Sequence, residues 1–310
     1  MAATGDLIIR VPASTSNLGP GYDCLGLALN LYNDFTVQVN RRPGARSTVT
    51  GRGRCAGIPA EDNPFVRAYA AVGEMAGADL PAVSVTVDGD VPLGVGLGSS
   101  AGGAVAGALA ANALLGLPFT YEELIEPLVR VEGHPDNVTS SLLGGLTVST
   151  ATDAGPLTHV YQVAEAWRLA FLIPDYVVET TAARGALPSR VPLADAAFNL
   201  SRVPFVIHAL VAGDGEMLGR VMEDRLHEPV RGKMIKRDKR IRRSARAAGA
   251  CATFISGSGP AIGAFCLGQE TAERVAEAMR AETEGAKFTA EALVLRPKRG
   301  GARIAEGDQP

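Results

Sequence analysis

Apolar and polar positions follow two periods along the chain, and the switches between them delimit its elements. Residues 7–11 read as a strand, and 35–39 (FTVQV) alternate like a strand with one buried face. Between them, PASTSNLGPGYD (residues 12–23) is dense in turn formers and is predicted to be a loop. Residues 63–76 place Phe65, Ala68, Tyr69 and Val72 on one side at helical spacing. Residues 83–89 alternate with β-branched side chains and predict a strand. A helix is predicted from near Ser100 to Leu115, and another over 121–131. Thr120 and Glu123 form a capping box for the second, and Pro127 is expected to bend or interrupt it.

After GHPDN (133–137) the pattern turns β-rich, through GGLTVST, HVYQV and LAFLIP. Helices are predicted over 180–187, 193–211, 216–223 and 270–281. CATFISGSGPAIGAFC reads as strand, turn and strand. FTAEALVLR is expected to be the last strand, followed by a frayed tail from Pro297. Strands and helices mix without regular alternation, which favours an α+β class over a doubly wound sheet. A composition shift near Thr150 divides the chain into 1–150 and 151–310.

Composition narrows the function classes. With 310 residues and 46% hydrophobic content, a sizeable core is available. A net charge of −3 gives no global attraction to nucleic acid or anionic membrane. The basic run 231–246, opposed only by Asp238, is expected to be a solvated helix face. Cys24, Cys55, Cys251 and Cys266 form no C-x-x-C pair, which excludes zinc-ribbon and thioredoxin-type chemistry. The N-terminus shows no signal-peptide pattern, so a reducing, cytoplasmic setting is expected. The longest uncharged stretch, 91–119, is mostly Gly and Ala with Pro92 and Asn112 inside it, a poor membrane span.

That stretch, VPLGVGLGSSAGGAVAGALAAN, carries the chemistry. Gly94, Gly96 and Gly98 precede Ser99, Ser100 and a helix start. Glycines let backbone amides approach an anion closely, and the helix N-terminus adds unpaired N–H groups and a positive dipole end. Together they make a phosphate cradle. It is neither a Walker A loop, having no Gly-Lys-Ser/Thr, nor a dinucleotide fingerprint. With no loop lysine, polyphosphate charge calls for Mg²⁺ held by a nearby carboxylate. Glu122, Glu123, Glu126 and Glu132 are available on the next helix; spacing alone does not select among them, and Glu126 is preferred. The alanine- and glycine-rich helix behind the loop is expected to permit close packing under a bulky ligand.

Three ordered motifs, VPASTSNLGPGYDCLGLAL, PLGVGLGSSAGG and ISGSGPAIGAF, make the sequence resemble the GHMP family of small-molecule kinases. EGHPDNV, TTAARGALP and HEPVRGKM resemble the subgroup that phosphorylates the side-chain hydroxyl of L-homoserine on the route to threonine. The resemblance implies an α+β, two-domain fold: an N-terminal domain like ribosomal protein S5 domain 2, and a ferredoxin-like C-terminal domain, with the active site between them. It implies ATP and Mg²⁺ as cofactors, a small-molecule acceptor, no nucleic-acid or membrane partner, and is compatible with a homodimer.

Residue by residue, the resemblance implies that the loop Pro92, Gly94, Gly96, Leu97, Gly98, Ser99, Ser100 and Ala101 holds the ATP phosphates. Asn63 would lie near the adenine. Glu126, eight residues before His134, would bind Mg²⁺ with Ser100. Asn17 and Asp23 would contact the amino acid's polar groups, and His134, Asp136 and Asn137 would line its pocket. Arg184 and Arg231 would clamp its carboxylate, for which a planar donor fork is suited. Thr180 would sit near the reacting hydroxyl. A phosphate oxygen is expected to take the hydroxyl proton, with Asp23 as the competing base. Turn-making by Asn17 and Asp23, capping by His134, Asp136 or Thr180, and a solvent-facing Arg184 are the structural alternatives. Gly102 stands where the family usually has alanine, and Pro64 where leucine is commoner. The rival readings are another GHMP kinase acting on a different amino acid or alcohol, and a non-catalytic sensor of the same fold.

Overall fold

The computed structural model describes residues 6–42, 44–58 and 62–305. The chain runs β1 (Leu7–Ser16), β2 (Leu25–Val39), β3 (Thr48–Gly51), α1 (Pro64–Ala76), β4 (Val83–Gly89), α2 (Ser99–Leu114), α3 (Ile125–Glu132), α4 (Asp136–Leu143), β5 (Leu146–Thr152) and β6 (Gly155–Tyr161). It continues through β7 (Trp167–Pro174), α5 (Thr180–Gly185), α6 (Leu193–Ala212), α7 (Gly215–Val221), α8 (Glu228–Arg231), α9 (Asp238–Ala247), β8 (Ala252–Ile255), β9 (Ile262–Leu267), α10 (Gln269–Ala281), β10 (Ala290–Leu295) and β11 (Arg303–Ala305).

Two sheets result. The first has the order β11-β1-β2-β4-β3, with β5 paired to β2 and β6 to β5. Its pairings are antiparallel except β3 with β4. The second, antiparallel throughout, has the order β10-β7-β9-β8, the ferredoxin-like arrangement. The α+β, two-domain expectation holds. Sheet membership changes between Tyr161 and Trp167, so the cut expected at 150/151 falls inside β5.

Burial follows the pleat. In the first core Ile9, Val11, Phe35, Val37, Val85 and Val87 of the sheet meet Phe65, Val72, Val105 and Leu109 of α1 and α2. In a second, Leu25, Leu27 and Leu29 of β2 meet Trp167, Leu169, Phe171, Phe254 and Phe265, which joins the lobes through one continuous apolar layer. Alternate residues of β7, Ala170 and Leu172, face a third core under α9 and α10.

Four local expectations are corrected. The segment after Val11 is strand to Ser16, because buried Ser14, Thr15 and Ser16 find side-chain partners in Ser141, Ser256 and Asn137. Pro127 sits in the first turn of α3, where its missing N–H costs no helical bond; the Thr120–Glu123 capping pair forms before it. The tail from Pro297 is stitched down: Lys298 N–H bonds Ala28 O, Gly145 N–H bonds Lys298 O, and β11 pairs with β1 from Ile8↔Ala305. The basic run is not all solvated, since Arg242 is 14% exposed and bonds both Glu228 and Asp238. No helix among the described residues is long and apolar enough to cross a membrane, and all four cysteines are unpaired.

Candidate active site

The glycine loop and the start of α2 form one wall of a cleft between the lobes. The cleft, about 270 Å³, is lined by Gly94, Gly96, Gly98, Ser99, Ser100 and Ala101 on one side, and by Asp23, His134, Asp136, Thr180, Arg184 and Arg231 on the other. The first α-helical bond of α2 runs from Gly102 N–H to Gly98 O. Among the described residues the amides of Ser99, Ser100 and Ala101 have no protein acceptor, and no side chain caps the helix. These are the free donors that a phosphate cradle requires. A larger hollow of about 550 Å³, walled by Arg168, Arg296, Lys298 and Arg299, contains none of these loop residues.

The loop is held from behind. Gly96 and Gly98 take positive φ, and a Cβ on either would run into Ser256 O or Ser14 Oγ. Ser256 Oγ donates to Gly96 O at 2.6 Å, and Ala261 N–H bonds Val95 O. The turn after β8 thus braces the loop. Further along α2, a Cβ at Gly107 would collide with the Phe65 backbone, so that glycine sets the approach of α1.

Three residues expected at the nucleotide are not among those lining this cleft. Asn63 is the N-cap of α1, its Oδ1 accepting Phe65 N–H at 2.9 Å, because Pro64 at the next position begins the helix. Leu97 is fully buried. Pro92 borders a separate hollow with Val177 and Thr289.

Glu126 is also misplaced. It lies exposed in the first turn of α3, near Gly155, and does not line the cleft. Glu132, six residues on, faces another direction at 3.6 residues per turn. It lines the cleft, and Ser100 Oγ donates to its Oε1 at 2.8 Å. Burial pushes the Glu132 carboxyl up, against the Ser100 bond that lowers it. A carboxylate with a hydroxyl at the mouth of a helix is a suitable oxygen donor set for Mg²⁺. Arg67, four residues after Asn63, is a cleft residue the sequence reasoning passed over. It donates to Val131 O at 2.6 Å and places a cation beside the loop.

On the opposite side of the cleft, Asp23 receives both forks of Arg184, at 2.7 and 2.9 Å. Both its oxygens are engaged, which removes it as a ready base. Asn17 takes positive φ; its amide donates to Gly257 O and accepts from Asp23 N–H, tying the two lobes. Asp136 is buried in the first turn of α4, accepting from His134 Nδ1–H at 2.6 Å and Asn137 N–H at 2.8 Å. Burial disfavours the charged form of each partner, yet their mutual bond wins: His134 is raised and Asp136 lowered. Asp23, His134 and Asp136 bring oxygen and nitrogen atoms within 4.8 Å of one another. Their partners mark an ion-pair network rather than a metal centre. Asn137 bonds Ser16 and Ser14, anchoring α4 to β1. Thr180 begins α5 without capping it, with Oγ1 3.3 Å from Ser258 Oγ.

Arg231 differs from every other cation here. It is 2% exposed, its Nε has no partner, and Nη1 donates only to Gly257 O and, at 3.4 Å, to His227 Nδ1. No carboxylate among the described residues forms an ion pair with it. Burial holds its guanidinium below its ordinary value.

A loop of free amides thus faces an ionic pocket across the cleft between the two lobes. The chain belongs to the GHMP kinase family: residues 63–145 match the model of the N-terminal domain of GHMP kinases and 206–285 that of the C-terminal domain. It is 36% identical over 286 residues to the homoserine kinase of Moorella thermoacetica, covering 92% of this chain and 96% of that one. The homoserine kinase of Thermosynechococcus vestitus is 39% identical, with 93% and 94% covered. Among solved structures, a homoserine kinase from Cytophaga hutchinsonii superposes with a TM-score of 0.88 at 27% identity, over 98% of this chain and 99% of that one. A mevalonate kinase from L. major, TM-score 0.70 at 18% identity over 95% and 97%, shares the fold.

Proposed function

We propose that the chain transfers the γ-phosphoryl group of ATP to the side-chain hydroxyl of L-homoserine. The observation that carries this reading is Arg231, a buried cation with no acid partner, set beside the Arg184–Asp23 pair on the far side of the cleft from the free loop amides. Leaving such a charge bare is costly, and a ligand carboxylate relieves it. An α-amino acid offers that carboxylate to Arg231 and Arg184, and its ammonium to Asp23. The similarity to homoserine kinases supports the particular acceptor.

The residues present fit ATP and Mg²⁺. The amides of Ser99, Ser100 and Ala101 would hold phosphate oxygens, with Arg67 adding charge. Ser100 and Glu132 would hold Mg²⁺, which when bound offsets the negative charge of the phosphoryl being transferred. The chain's own groups supply positioning: Arg184, Arg231 and Asp23 orient the amino acid, and the His134–Asp136 pair fixes the pocket wall. Phosphoryl transfer depends on alignment and charge more than on covalent chemistry. With Asp23 engaged by Arg184, a phosphate oxygen would be left to take the hydroxyl proton.

Coupled ADP release with ATP, Mg²⁺ and homoserine, threonine, serine or mevalonate tests the reading. Homoserine should give the highest kcat/KM. Preference for mevalonate would refute the acceptor, and ADP release with none of them would favour a sensor.

A further inference from the structure

Tyr22 lies in the turn between β1 and β2, outside every role assigned above. Its ring is a meeting point for the second lobe. The Arg231 guanidinium carbon is 5.2 Å from the ring centroid, that of Arg184 is 5.6 Å away, and the His227 ring is 5.3 Å away at a 33° tilt. The arginines come from separate helices, α8 and α5, and nothing in the protein bonds one to the other. Two cations held near each other repel, and the negative face of an aromatic ring offsets that repulsion. Of the two, only Arg184 has a carboxylate partner among the described residues; Arg231 has neutral acceptors in Gly257 O and His227 Nδ1, with the Tyr22 ring beside it. Behind it, His227 is fully buried and donates Nε2–H to Gly19 O, because a carbonyl can only accept. Its Nδ1 lone pair is thereby aimed at Arg231 Nη1.

We infer that Tyr22 is a positioning residue: its ring sets the spacing of Arg184 and Arg231 so that both guanidiniums converge on one ligand carboxylate, which makes it a determinant of carboxylate selectivity. This rests on the amino-acid reading above. The aromatic face carries the role, not the hydroxyl.

The test compares the unchanged chain, Tyr22→Phe, Tyr22→Leu, and a chain with pentafluorophenylalanine at position 22, which keeps the shape but abolishes the negative ring face. KM and kcat are measured for homoserine, for its carboxamide, and for ATP. The Phe variant should keep the homoserine KM within threefold. The Leu and fluorinated variants should raise it at least tenfold, leave kcat and the ATP KM within threefold, and lose preference for homoserine over the carboxamide by the same factor. The fluorinated chain keeps the test decisive if Leu impairs folding. An unchanged homoserine KM in the fluorinated chain, equal loss of ATP and homoserine affinity, or a Phe variant as poor as Leu would overturn the inference alone. An unchanged chain that uses the carboxamide as well as homoserine would overturn the amino-acid reading and this inference with it.

Discussion

Replacing Glu132 by Gln should separate activity from stability in opposite directions. Gln keeps an oxygen to accept from Ser100 Oγ, now 2.8 Å from Oε1, and keeps the side chain's shape. What it removes is a negative charge in the cleft wall. Opposite unit charges ~4 Å apart attract by about 4 kcal/mol at an effective dielectric constant near 20. At about 1.36 kcal/mol per tenfold, kcat/KM should fall two to three orders of magnitude, less at saturating Mg²⁺. The unliganded protein should respond the other way. Burial raises the folded-state pKa of Glu132 above the ordinary 4.5. An acid so raised binds more protons folded than unfolded, so its contribution to stability falls as pH climbs through 4.5 to the folded value. In EDTA at pH 7 the Gln variant should melt no lower than the unchanged chain, and the gap should close below pH 4.5. Glu126→Gln is the control, expected to leave kcat/KM within threefold because its side chain points away from the cleft. Coupled ADP release across a Mg²⁺ series, with thermal melts of each protein, provides both readouts. Equal damage from the two substitutions, or a threefold or smaller effect at Glu132, would refute the metal-ligand assignment.

Other substitutions probe the remaining parts. Arg231→Ala should raise the amino-acid KM about 10- to 100-fold, the equivalent of a charge-assisted hydrogen bond, with the ATP KM nearly unchanged; a selective ATP defect contradicts the clamp. Asp136→Asn should lower the His134 pKa, followed by NMR of the ring protons, because the carboxylate that outweighs burial is gone. The pair's contribution is present between the two ordinary values, 3.8 and 6.5; it fades as pH falls through the folded Asp136 value or rises through the folded His134 value. Gly102→Ala should stabilise the chain by about 1 kcal/mol, since a Cβ there meets only Val11 Cγ1 at 3.7 Å. Gly107→Ala, driven into the Phe65 backbone, should destabilise it, and chemical denaturation of the two variants gives the comparison.

Period made α1 and β4 readable from the sequence, because each buries one face; α2 and the β8–β9 hairpin, buried nearly all round, were marked instead by the glycine-rich turns beside them. Neither signal disclosed that β1 runs on to Ser16. Its last residues are polar yet buried, and their partners lie more than a hundred positions away. The phosphate loop was legible because glycine and helix-start signals are local. The choice between Glu126 and Glu132 was not, since it depends on helical phase and on where α3 ends. Counting back from His134 crosses that end and cannot carry the phase. Arg231 was named from the resemblance, but its lack of an acid partner is a property of the assembled pocket. The three-residue β11 was too short, among glycines and charges, to show a period at all.

The pairing of β11 with β1 bears on how the molecule is made. On a ribosome, the edge at Ile8–Arg10 emerges about 300 residues before the segment that covers it. For most of synthesis the nascent chain therefore presents a bare flank to solvent and to its neighbours on the same message. Synthesis of β11, rather than completion of the amino-terminal half, is the event that seals it.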